Sequence, residues 1–177
     1  VQTLERGRWP THPEFERSSE ILDVFSSLRK AQRAMLEVYS EEDLKAAQRA
    51  RSDDLTFSQA MTFFQGRRPF KRLPRDLQDD IRYLYGNYKS LQESAKDLLA
   101  SLTDTDAIAQ ACTEVGASEI PCFVEDEKAL SVPASSISSL PLILRAYIGC
   151  AEQLIGSATE FHLVKVHIHT GKLTVMK

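Results

Sequence analysis

Five cations, Arg67, Arg68, Lys71, Arg72 and Arg75, fall within the ten residues 66–75, with no acid among them. Arginines present paired donors to phosphate oxygens, and each phosphate that a cation neutralises releases counterions. The chain as a whole carries a net charge of −3, so the excess is local. Arg82 and Lys89 extend the patch, and Tyr83 supplies a ring that can stack on a base or sugar. These eight residues are the candidate nucleic-acid contacts. Two other readings stand beside this one. In the first, the run is a solvated loop whose cations pair with Asp76, Asp79 and Asp80. In the second, the arginines clamp another domain of a larger protein.

His167 and His169 share one face of a terminal strand pattern, and histidines two apart can chelate a metal. No third ligand stands out in the sequence, and His162 falls on the opposite face, so exposed strand histidines are the competing reading. The three cysteines, Cys112, Cys122 and Cys150, form no Cys-x-x-Cys pair, and the expectation is reduced, buried thiols in a cytoplasmic protein. No glycine-rich nucleotide loop, His-Glu-x-x-His pair or Gly-x-Ser-x-Gly elbow occurs, and no acid, base and nucleophile converge in sequence. The chain is expected to carry no catalytic apparatus and no cofactor.

With 42% hydrophobic and 27% charged residues, 177 residues can bury a core. No apolar run reaches the ~20 residues that span a bilayer, so no membrane partner is expected. A pI near 5.8 argues against a general nucleic-acid coat, and any DNA contact must be a local patch. The chain opens without a methionine and stops inside a strand pattern, so the expectation is a piece of a larger protein.

The elements that must position the run are mostly helical. Thr11-His12-Pro13-Glu14 has the spacing of a capping box, followed by apolar residues at Phe15, Ile21, Leu22, Phe25, Leu28, Met35, Leu36 and Tyr39, with Ser26-Ser27 as a kink or break. Ser40 restarts a helix, and Ser52-Asp53-Asp54 reads as a second cap within it. The apolar face of Leu55, Phe57, Ala60, Met61, Phe63 and Phe64 then runs to Gly66, a helix-ending glycine. Pro74 opens a helix with Leu77, Ile81, Leu84, Tyr85 and Tyr88 inward, Gly86 marks a bend, and Thr103-Asp104 caps a helix over 105–115. Between 97 and 127 there is no Lys or Arg, and acids accumulate. Residues 120–124 and 129–132 read as strands, and Ser138 or Ser139 as the cap of a helix ending at Gly156. Segments 161–169 and 172–177 read as a hairpin around Thr170-Gly171, with Ile168 facing Leu173 and Val166 facing Val175. The fold class is α+β, mostly α-helical with a small antiparallel sheet toward the C-terminus. A helical region over 1–116 and an α+β region over 117–177 are expected to pack as one unit.

Leu73-Pro74-Arg75-Asp76-Leu77-Gln78-Asp79-Asp80-Ile81-Arg82, followed by Tyr85-Gly86-Asn87-Tyr88, resembles the C-terminal part of the methyltransferase-like proteins associated with bacterial DNA phosphorothioation. The agreement continues in order through Ser27-Leu28-Arg29-Lys30-Ala31, Arg51-Ser52-Asp53-Asp54-Leu55 and Phe64-Gln65-Gly66-Arg67-Arg68-Pro69-Phe70. It extends to Leu140-Pro141-Leu142-Ile143-Leu144-Arg145-Ala146-Tyr147 and Leu163-Val164-Lys165-Val166-His167, and so covers residues 9–177. The resemblance implies a two-part parent, with a methyltransferase-like domain holding S-adenosylmethionine ahead of this helical part. The cofactor loop is absent here, so no methyl-donor site carries over. It also implies a place in DNA modification and restriction. The function expected is a non-catalytic, DNA-contacting accessory domain. The alternative is a module that binds the parent's other domain or proteins of the phosphorothioation system without touching DNA.

Overall fold

Caps and left-handed glycines punctuate the chain where a helix must stop. A computed structural model describes residues 2–9, 14, 18–66, 68–126 and 128–177. The expected capping box at residues 11–14 rests mostly on residues outside that set, as do Phe15, Arg67 and Glu127. Two compact units emerge, one from Val1–Leu55 with Arg68–Leu91 and the other from Thr56–Arg67 with Gln92–Lys177.

The first unit begins with α1 (Gln2–Arg6), α2 (Ser18–Phe25) and α3 (Leu28–Val38). The Ser26-Ser27 break is complete. Ser26 takes a positive φ of 59°, and the Ser27 side chain accepts from Lys30 N at 3.3 Å, which caps α3. α4 (Glu41–Gln65) starts with a reciprocal cap, Asp43 N donating to Ser40 Oγ at 3.1 Å and Ser40 N to Asp43 Oδ2 at 3.0 Å. The second cap expected at Ser52-Asp53-Asp54 does not form, because α4 continues unbroken. Leu55 and Thr56 are buried at that point, and Tyr85 Oη donates to Ser52 O at 2.7 Å. Tertiary packing there holds residues whose side chains favour caps.

Pro74 is the N-cap of α5 (Arg75–Tyr85), and Gly86, with φ of 74°, ends it. The bend expected at Gly86 is therefore a full break, and Asn87 Oδ1 caps α6 (Tyr88–Ser101) by accepting from Ser90 N at 2.9 Å. Leu55, Ile81 and Leu91 form the buried centre of this unit, with Phe70, Leu73, Leu77, Leu84, Tyr85 and Tyr88 packed on them.

The second unit adds α7 (Thr105–Gly116), capped by Asp104, then β1 (Phe123–Glu125), β2 (Ala129–Pro133), α8 (Leu142–Ile155), β3 (Leu163–His167) and β4 (Leu173–Met176). The strands form one antiparallel sheet in the order β1-β2-β3-β4. The α+β class stands. β1 starts three residues later than the sequence suggests, after Pro121, and Ile120 N is held in a turn by Ser118 Oγ at 3.2 Å. Ser138 and Ser139 do not cap α8. They lie in a 3-10 turn over Ala134–Ser139, and Pro141 precedes the helix without a side-chain cap. Phe63 and Phe64 are exposed rather than part of an apolar face.

The hairpin pairs two residues away from the expected register, with Val166 opposite Leu173 and Val164 opposite Val175. A slip of two keeps every side chain on its own face, so the apolar alternation cannot distinguish the two registers. The backbone decides: His167 N closes on Lys172 O at 3.0 Å, which fits the observed register. The sheet's buried face carries Leu130, Val132, Val164 and Val166 against Ile108, Val115, Leu144 and Ile148.

Candidate nucleic-acid interface

Residues 68–75 of the basic run form a tied turn ahead of α5 rather than a loose loop. Phe70–Arg72 form a single 3-10 turn, closed by Arg72 N donating to Pro69 O at 2.9 Å and Leu73 N to Phe70 O at 3.1 Å. The turn alternates inward and outward. Phe70 and Leu73 are half-buried on the first unit's core, while Arg68, Lys71 and Arg72 are exposed. The Phe70 ring lies 5.5 Å from the Tyr88 ring, and the Arg82 guanidinium sits over it at 5.2 Å. Tyr88 Oη donates to Arg68 O at 3.0 Å, so the turn is tied through backbone as well as side chain.

The three acids that follow the run divide their attention unequally. Asp80, fully buried, accepts from Arg8 Nε at 2.5 Å on one oxygen and from Arg51 Nη2 at 2.5 Å and Nε at 2.9 Å on the other. Asp76 lies 3.8 Å from Arg6. Arg8, itself buried, also donates to both oxygens of Glu14, at 2.7 and 2.8 Å, and to the Asp76 and Trp9 carbonyls. The hydrogen bonds to Glu14 raise the Arg8 guanidinium above its ordinary pKa, burial opposes the rise, and the Asp80 charge adds to it. Asp79 alone turns toward the basic face, with Arg82 Nη1 at 3.0 Å and Arg75 Nε at 3.4 Å.

Arginines from outside the run therefore occupy Asp76 and Asp80. Among the described residues, Arg68, Lys71 and Arg72 have no carboxylate partner. Of the sequence candidates, those three are exposed and open, whereas Arg75 and Arg82 are exposed but engaged by Asp79. Arg67 lies outside the described residues. Tyr83 is exposed, with its hydroxyl 3.4 Å from Gln48 Nε2, and Lys89 is exposed near the start of α6.

The ion network around Asp80 escapes a reading along the sequence, since Arg8 is 72 residues away. One signal was available. Asp80 falls one turn after Leu77 and one turn before Leu84, so an acid stands on the apolar stripe of α5, where an ionised carboxylate needs a cation.

The other candidates do not assemble into chemistry. His167 is half-buried with Nε2 3.0 Å from Thr174 Oγ1, and His169 is exposed. Among the described residues no group of three His, Cys, Asp or Glu side chains could hold a metal. The cysteines form no disulfide, and burial pushes the Cys112 thiol up to about 11. No described helix is long and apolar enough to cross a membrane. Comparison with protein-family models, curated proteins and solved structures returns no match.

Proposed function

We propose that this chain is a non-catalytic accessory domain that contacts the DNA backbone through Arg68, Lys71 and Arg72. The observation that carries the reading is the division of the acids. Asp76 and Asp80 are engaged by Arg6, Arg8 and Arg51, so among the described residues Arg68, Lys71 and Arg72 stand exposed without a carboxylate partner, on and beside a fixed turn. A fixed turn loses less side-chain and backbone freedom on binding than a mobile loop would, and separate point charges suit a chain of phosphates. The resemblance of 73–88 and the flanking blocks to the phosphorothioation-associated methyltransferase-like proteins supports DNA as the polyanion. In this proposal S-adenosylmethionine chemistry belongs to a separate domain of the parent.

Fluorescence anisotropy with a labelled duplex tests it. Binding should weaken steeply with salt, and joint replacement of Arg68, Lys71 and Arg72 by Ala should weaken it sharply, with the slope of log K against log salt falling by about three. Absence of binding at low salt overturns the reading.

A second reading, a protein-docking module, draws on the edge strand β1. Phe123 is 67% exposed there, beside the acidic Glu125 and Asp126. A pull-down with the parent's methyltransferase-like half distinguishes it, and substitution of Phe123 by Ser should weaken capture.

A further inference from the structure

We infer that Asp79 sets how many cations the basic face offers to a polyanion, by withholding Arg75 from it. The inference rests on the nucleic-acid reading above and assigns a residue that controls the same site.

Arg75, Asp79 and Arg82 stand at i, i+4 and i+7 on α5, one face of the helix. The Asp79 side chain is only 18% exposed, so its charge is screened less than that of a surface acid. The two arginines are held unequally. Arg82 has a 3.0 Å ion pair and a second attachment, its guanidinium lying on the Phe70 ring. It is a positioning residue that keeps the turn in place. Arg75 has the 3.4 Å pair and a side chain 80% exposed, so Asp79 acts on it by cancelling its charge at that point of the face rather than by gripping it tightly. Phosphate oxygens compete for the same guanidinium donors, and they meet the Asp79 charge as they approach. Among the described residues the face thus presents Arg68, Lys71 and Arg72, and Asp79→Asn adds Arg75 to them.

The test is a salt series between 50 and 200 mM with a labelled duplex on four chains: the natural one, Asp79→Asn, Arg75→Ala and the double variant. The expected slope for Asp79→Asn is steeper than the natural one by about one, with several-fold tighter binding at low salt. Arg75→Ala should leave the natural slope unchanged and remove the gain in the Asp79→Asn background, a coupling that the cycle isolates. Equal slopes for the natural chain and a folded Asp79→Asn, checked by circular dichroism, overturn the inference while the DNA reading stands. If Asp79→Asn does not fold, the natural background decides: Arg75→Ala lowering the slope by about one overturns the inference. Absence of duplex binding by the natural chain at low salt overturns the DNA reading, and this inference with it.

Discussion

Arg8 Nε donates to Asp80 Oδ1 at 2.5 Å, joining two residues 72 positions apart with both side chains almost wholly removed from water. The pair fastens the segment after α1 to the middle of α5. Arg51 from α4 meets the second oxygen of the same carboxylate.

Substitution of Asp80 by Ala should destabilise the chain by about 3–5 kcal/mol, because Arg8 would stay buried with one of its two carboxylate partners gone. Arg51→Ala should cost less, since that side chain is 27% exposed and water can replace its contact. Urea denaturation of both variants, followed by circular dichroism, measures the difference. Equal midpoints would show that Asp80 is not the centre of the network.

On the proposed DNA reading, Phe70→Ala changes no charge, yet it should weaken duplex binding. The ring anchors the 3-10 turn against Tyr88 and carries Arg82 on its outer face, so its loss frees the backbone that presents Lys71 and Arg72. The stability cost should be about 2 kcal/mol, below that of a fully buried Phe because the ring is half-buried. Anisotropy and urea melts on the same preparation separate the two effects.

Gly149 on α8 allows close approach by α4. A Cβ there would stand 2.8 Å from Met61 Sδ and 3.0 Å from Phe57 Cε2. Gly149→Ala should therefore destabilise by about 1–3 kcal/mol despite alanine's better helix propensity. An unchanged thermal midpoint would mean that both side chains move aside freely.

Stability should fall at both ends of the pH range, for opposite reasons. Burial raises the Cys112 thiol from 9.0 to about 11, so the unfolded chain ionises first. The resulting loss begins near pH 9 and is complete near pH 11. Cys112→Ala should flatten that limb in part, because Tyr147 and Cys150 are raised in the same direction. At the acid end, the hydrogen bond and charge of Lys165 lower the Glu125 carboxyl below 4.5. Its contribution is present above 4.5 and is lost as pH falls through the lowered value. Urea midpoints across pH for the natural chain, Cys112→Ala and Lys165→Met check both signs.

Much of the fold was legible because its signals are local. Ser40, Asp104, Gly66 and Gly156 mark helix ends through hydrogen bonds within a few residues or through a positive φ that glycine tolerates. The basic run was legible for the same reason, since charge density needs no partner to be seen. Ser52 misled because a capping side chain says nothing about the helix packed beside it. The hairpin misled because two registers share one alternation.

The sequence by itself determined the α+β class, several of the helix ends and a cluster of cations flanked by three acids. Which acid answers which cation was decided only by the tertiary structure. Burial brings Arg8 and Arg51 onto Asp80, where low solvent exposure makes a charge pair obligatory. Asp79 alone is left facing the turn. Distant arginines, rather than the run's own composition, leave Arg68, Lys71 and Arg72 open to an outside anion.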